Sequence, residues 1–230
     1  MTDYSYISKN YRELSDEIAK LSERFGRDVK LVCVTKSGTD EELLALCGAG
    51  ASDIGENRPQ ELARRGNLLS EQGFTPTLHE IGNLQRNKVK LIIDNVALIH
   101  SLDSISLAEE IDRQAKIKGR RVPVLIEINS AKEEAKGGIF PENAESFFGE
   151  VSKLENLAVC GLMTMGPVCD DAEELRPYFR LTKEIFDDLN SKYGFEGGGI
   201  LSMGMSESYT VAIEEGSTLV RVGRRLFDKN

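Results

Sequence analysis

The sequence predicts a single (β/α)8 barrel. Three observations predict it: short apolar runs of strand length recur eight times, each is followed by a stretch with helical apolar spacing, and no linker or low-complexity segment interrupts the 230 residues. Parallel strands covered on both faces read as near-continuous apolar runs, which is how these runs look. An open doubly wound sheet is the rival, but no GxGxxG follows the first strand, where a dinucleotide-binding version needs it. The expected unit is one domain over residues 1–230, with an extra helix ahead of the first strand.

In that helix Ile7, Tyr11, Leu14, Ile18, Leu21 and Phe25 fall at alternating spacings of four and three, and Gly26 stops it. The first strand is Leu31–Lys36. Thr39-Asp40-Glu41-Glu42 then forms a capping box opening a helix that ends at Gly48. Ala51–Glu56 is the second strand, and Pro59 suits the first turn of the helix after it. Thr77–Ile81 is the third, before a helix through Val89, Ile92 and Ile93. Val96–Ser101 is the fourth, and Asp103 or Ser104 caps a helix with Leu107, Ala108, Ile111 and Ala115 inward. Val122–Asn129 is the fifth, and Pro141 opens the helix carrying Phe147 and Phe148. Leu157–Met163 is the sixth, before a helix showing Leu175, Phe179, Thr182, Phe186 and Leu189. Ile200–Met203 and Thr218–Val222 are the seventh and eighth, with a short helix between them.

A net charge of -9 and a pI near 5.0 argue against a general nucleic-acid or anionic-membrane partner, because neutralising phosphates needs a basic face. Cys33, Cys47, Cys160 and Cys169 form no CxxC pair and read as reduced thiols. With two histidines, His79 and His100, a zinc site has no obvious ligand set. No basic-then-apolar leader opens the chain, and no apolar run approaches the roughly 20 residues that span a bilayer. A soluble, cytoplasmic protein is expected.

Chemistry gathers at strand ends. Counting by twos puts Val32, Val34 and Lys36 on one face, which points inward if the sheet closes, so Lys36 arrives at the carboxyl end of the barrel, where such folds keep their active sites. A desolvated lysine there is a nucleophile able to form a Schiff base with a carbonyl; the alternative is a solvated lysine in the following loop. The loops after strands seven and eight, where barrels commonly hold phosphate, read Ser202-Met203-Gly204-Met205-Ser206 and Arg221-Val222-Gly223-Arg224. Ser206 is either a helix cap or part of an anion cradle with Gly223 and Arg224. Arg221 facing inward must meet a carboxylate, a phosphate or a ring nitrogen; Glu56 and Glu127 are the carboxylates within the barrel mouth. A lysine on strand one, a phosphate cradle after strands seven and eight and an arginine between them are what a pyridoxal phosphate Schiff base requires.

With Ile54-Gly55-Glu56-Asn57, the stretch His79 to Lys88, Ile99 to Ser104, Gly161 to Met165, Leu201 to Ser206 and Gly216 to Gly223, the chain resembles the pyridoxal phosphate homeostasis protein family along nearly its whole length. The resemblance implies a TIM barrel like the N-terminal domain of alanine racemase standing alone. It implies that Lys36 holds pyridoxal 5'-phosphate as a Schiff base, that Arg221 faces the pyridine nitrogen, that Ser206, Gly223 and Arg224 hold the phosphate, and that Asn57 and Met203 line the ring. His79 matches a family motif near the cofactor; as residue chemistry it reads equally as a packed core histidine, and His100 as structural. Departures are Ser37-Gly38 after the lysine, Asn83 where His is common, Lys136-Gly137-Gly138 for Lys-Ser-Gly, and Arg224-Arg225 for Thr-Ala.

An arginine at the pyridine nitrogen leaves it unprotonated and weakens the ring as an electron sink. The resembling racemases take their second base from a separate β domain, for which this chain, ending at Asn230, is expected to have no room. The expected function is therefore storage, buffering or delivery of the cofactor by a monomer, with apo-forms of cofactor-dependent enzymes as partners and little or no catalysis. An amino-acid racemase or other enzyme using this cofactor is the alternative, and a cofactor-free Schiff-base aldolase a third. Lys88 and Lys136 are candidates for a second, transient cofactor site.

Overall fold

The computed structural model describes residues 3–229; Met1, Thr2 and Asn230, the ends of the expected domain, lie outside the described residues. Eight parallel strands close in sequence order: β1 (Lys30–Val34), β2 (Asp53–Glu56), β3 (Thr77–Glu80), β4 (Leu98–Leu102), β5 (Val122–Glu127), β6 (Leu157–Met163), β7 (Ile200–Ser202) and β8 (Leu219–Val222). β1 closes the ring against β8 with Val32 opposite Arg221. The expected barrel is what forms, and strand ends differ from expectation by a few residues because backbone pairing stops where the chain turns. β1 stops at Val34, two residues before Lys36.

The helices are α1 (Ser5–Phe25), α2 (Asp40–Gly48), α3 (Pro59–Glu71), α4 (Val89–Ile92), α5 (Ile105–Ile117), α6 (Ala144–Val151), α7 (Arg176–Tyr193), α8 (Tyr209–Glu214) and α9 (Arg224–Phe227). Local chemistry sets their ends. Thr39 accepts from the Glu42 N–H while the Glu42 carboxylate accepts from the Thr39 N–H, the reciprocal cap read from the sequence. Gly26 ends α1 in a left-handed conformation. Pro141 opens a 3-10 turn rather than α6 itself.

Strand alternation divides the buried residues into two sets. Outward-facing Cys33, Ile54, Leu78, Ile99, Val124, Ile126, Leu162, Leu201 and Val220 pack with the helices in the main core. Inward-facing Val32, Leu98, Leu125, Ala158, Cys160, Met163 and Leu219 form a separate lumen cluster. The ring is irregular where β5 meets β6: Val124 pairs Val159 and Leu125 pairs Gly161, leaving Cys160 as an extra residue. Gly161 sits at φ +146°, and a Cβ there would fall 1.9 Å from the Ile200 carbonyl oxygen, so only glycine fits. Among the described residues no helix is long and apolar enough to cross a membrane.

Candidate functional site

At the carboxyl end of the barrel a cavity of about 420 Å³ opens between the strand-to-helix loops. Its walls bring together Lys36, Asn57, Ser206, Arg221, Gly223 and Arg224, six of the residues singled out in the sequence. Glu127, Lys136, Gly137, Met165 and Met205 complete much of the rest.

Lys36 stands in the turn just past β1 and is exposed, so the desolvated lysine considered from the sequence is corrected to one at the cavity wall, open to solvent. Among the described residues its amine makes no hydrogen bond or ion pair. The turn itself is held from behind. The Gly38 N–H donates to the Thr35 carbonyl at 2.9 Å, and buried Arg65 of α3 donates to the carbonyls of Thr35 (2.6 Å) and Gly38 (2.5 Å). Arg65 also pairs with Glu56 at 2.5 Å, which in turn accepts from the Thr35 hydroxyl. Glu56 is thus committed to Arg65 and not to Arg221, one of the two carboxylates considered for it.

Arg221 is buried, 4% exposed, with one terminal nitrogen donating to Ser202 Oγ at 2.5 Å and the other to the Thr164 carbonyl at 3.1 Å. Burial draws its pKa down to about 10, opposed by the Glu127 charge, so it stays cationic at neutral pH. Glu127 lies in the same cavity; burial and the neighbouring Asp103 charge push its pKa up to about 7, with Arg221 pulling the other way. Five guanidinium N–H groups serve two protein acceptors here, which leaves donors for a ligand.

The glycine-serine loops meet beside β1. Gly223 presses on its end: a Cβ there would approach the Val34 carbonyl oxygen to 2.9 Å. The Gly223 N–H donates to Ser206 Oγ at 3.3 Å, and Arg224 is exposed with Glu207 at 3.6 Å. Ser208, not Ser206, stands at the N-cap of α8, so the capping role weighed for Ser206 is not the one it has. Arg225 turns away from the cavity to pair with Glu17 of α1 at 2.8 Å.

Two of the residues expected at the cofactor are not cavity walls. Met203 is fully buried in the outer core, one strand position from inward-facing Ser202; Met205 takes the wall position instead. His79 lies inside the barrel between Asp53 and His100. Lys136 lines the cavity and pairs with Glu133 at 2.8 Å, whereas Lys88 is no part of its wall. Asn83 to Asn87 line a neighbouring open groove of about 900 Å³ that shares the Asn83 wall. That groove is larger, but the amine and guanidinium are in the smaller cavity. The Arg65 clamp and Met205 were missed, whereas Glu127 stands at the barrel mouth as expected; counting by twos along β7 was enough to separate Ser202 from Met203.

The residues present suit a planar anionic aldehyde: a free amine, a cationic donor fork and a narrow glycine-serine loop all open onto one cavity. Fold and site together define a class, and the sequence model of the alanine racemase N-terminal domain family matches residues 10–229. A pyridoxal phosphate homeostasis protein of Aquifex aeolicus is 41% identical over 92% of this chain and 93% of its own length. The chain belongs to that family, among the pyridoxal phosphate homeostasis proteins. A solved protein of Bifidobacterium adolescentis superposes with a TM-score of 0.89 at 34% identity, covering 99% of this chain and 98% of the other. PipY of Synechococcus elongatus PCC7942, solved with pyridoxal phosphate bound, superposes with a TM-score of 0.83 at 28% identity, covering 96% of this chain and 100% of the other.

Proposed function

We propose that the chain binds pyridoxal 5'-phosphate and serves to buffer or deliver it, with little or no turnover of its own. The observation that carries this reading is that the Lys36 amine and the Arg221 guanidinium open onto the same cavity, at the end of the barrel where the Gly223 and Ser206 loops converge. Lys36 would hold the cofactor covalently through its aldehyde, with release of water. Arg221 donates to the pyridine nitrogen, Asn57 flanks the ring, and Ser206 with the Gly223 and Arg224 backbone takes the phosphate. Bound, the cofactor supplies an electron-sink ring, and a guanidinium beside its nitrogen leaves that sink weak because it gives up no proton. This supports a carrier rather than a transaminase. Delivery to apo-forms of cofactor-dependent enzymes by a monomeric chain belongs to the same reading.

The test is the mass and visible spectrum before and after borohydride reduction. Wild type should take up the cofactor, turn yellow and gain the mass of a reduced adduct on Lys36; Lys36→Ala should gain none. A colourless protein that cannot be loaded sinks the reading, and prompt loss of chirality from alanine or serine turns it toward the racemase.

A further inference from the structure

The lumen carries one polar thread through its apolar packing. It starts at the amino end of the barrel, where Asp53 accepts from Ser52 Oγ at 2.7 Å and lies 3.6 Å from the Lys30 amine. Asp53 Oδ1 is 3.1 Å from His79 Nε2, His79 Nδ1 is 3.0 Å from His100 Nε2, and His100 Nδ1 is 3.0 Å from Ser202 Oγ. Ser202 Oγ takes the Arg221 bond at 2.5 Å. All five residues are buried, and they come from β2, β3, β4, β7 and β8.

Donor and acceptor logic gives the thread one direction. Burial works against ionisation of Asp53, but the hydrogen bonds from His79 and Ser52, aided by the Lys30 charge, hold its pKa below the ordinary value; it is a carboxylate and only accepts. The His79 Nε2 facing it therefore carries a proton. Burial, with the Arg221 charge adding to it, keeps His100 neutral. Arg221 occupies one lone pair of Ser202, and the Ser202 proton has an acceptor only if His100 Nδ1 is bare. His100 then bears its proton on Nε2 and donates to His79 Nδ1. The result runs Arg221 to Ser202 to His100 to His79 to Asp53, each donating to the next. The opposite arrangement, with His100 donating to Ser202, leaves the serine proton without a partner inside the lumen, a cost on the order of 1–3 kcal/mol.

We propose that Asp53, His79, His100 and Ser202 are positioning residues that act on the cofactor through Arg221, as one directed hydrogen-bond chain anchored at the opposite mouth of the barrel. The inference rests on the reading that Arg221 meets the pyridine nitrogen. Guanidinium is planar, so fixing one terminal nitrogen on Ser202 and the other on the Thr164 carbonyl fixes the plane in which its remaining N–H groups point. Asp53 reaches the cofactor only by dictating where each proton along the thread sits.

Two measurements test this. In the cofactor-free full chain, nitrogen-detected imidazole NMR at neutral pH should show both rings neutral with the proton on Nε2; an Nδ1-protonated or doubly protonated ring overturns the directed chain. In the loaded chain, Ser202→Ala should weaken pyridoxal phosphate binding about tenfold and move the absorbance maximum, with Asp53→Asn, which keeps the shape but not the charge, weakening it severalfold. In an Arg221→Lys background neither substitution should change affinity further, because the effect passes through the arginine. Equal losses in both backgrounds, or unmoved affinity and absorbance beside a wild type that loads normally, overturn this inference alone. A wild type that does not load overturns the functional reading and this inference with it. Should Ser202→Ala fail to fold, Asp53→Asn completes the same cycle.

Discussion

The sheet separates two interiors of opposite character. Outside it, strand side chains meet the helices in a continuous apolar packing that reaches from Ile7 of α1 to Leu226 of α9. Inside it, a small apolar cluster shares the lumen with two histidines, a serine, an aspartate and an arginine, each with a hydrogen-bond partner. The outer shell obtains its stability from shape and area removed from water, so it tolerates any residue that fills the space. The lumen is too narrow for such freedom once polar groups enter it, since each must find its partner there or go unsatisfied. The difference assigns stability mainly to one region and ligand grip to the other.

The sharpest attack on that division is Phe179→Ala. Phe179 of α7 is fully buried in the outer shell, far in role from the cavity walls. Removing its ring should cost about 3–5 kcal/mol through lost transfer energy and a residual cavity. Urea unfolding should show this loss while the folded protein keeps wild-type affinity for pyridoxal phosphate; a matching loss of affinity means the two regions are not separable.

Glu80 sharpens the comparison from the other side, as a polar group on the outward face without full satisfaction. It stands opposite Glu56 across β2 and β3, and Glu56 has the arginine. One Glu80 oxygen accepts from the Gly82 N–H at 3.1 Å and the other has no protein partner. Burial, with the Glu56 charge adding and the Gly82 bond opposing, pushes its pKa up to about 8, so it is protonated at neutral pH. The unfolded chain releases that proton above about 4.5. The folded chain keeps it until about 8, so this group's contribution is complete below the lower value and drains away as pH rises between the two. Glu80→Gln removes the titration and keeps the oxygen that accepts from Gly82. It should match wild type near pH 4 and exceed it by on the order of 2 kcal/mol at pH 8 in urea unfolding. A difference independent of pH contradicts the assignment.

The same division explains what could be read from the chain beforehand. Barrel closure was legible because it rests on strand and helix periodicity, and the capping box at Thr39 and the stop at Gly26 are local chemistry. The meeting of Lys36, Arg221, Ser206 and Gly223 was legible from their places at strand ends, aided by family resemblance. Met203, which family resemblance puts at the ring, lies in the outer core because strand alternation sends Ser202 inward and Met203 outward. The Arg65 clamp and the lumen thread were not legible. Their partners lie on different strands or on a helix, at separations fixed only when the ring closes, and nothing local marks His79 and His100 as neighbours.

The smallest effect is expected at a half-exposed polar contact on the outside of the shell. Glu17 of α1 pairs with Arg225 at 2.8 Å and accepts from Tyr209, tying α1 to α8 and α9. The Arg225 hydrogen bond first, then that of Tyr209, holds the Glu17 pKa down to about 2 against the effect of burial. Its contribution is therefore complete above the ordinary carboxylate range and lost as pH falls toward 2. Both partners are more than a third exposed, at 43% and 39%, so solvent screening reduces that contribution to about 0.5–1 kcal/mol. Glu17→Gln should lose that much at pH 7 and nothing near pH 2, and added salt should shrink the difference. Ile18→Ala, one residue along on the buried face of the same helix, should cost about 2–5 kcal/mol at either pH. If the two substitutions prove equal, α1 is held by its charges, and the outer shell is not the apolar region on which the comparison depends.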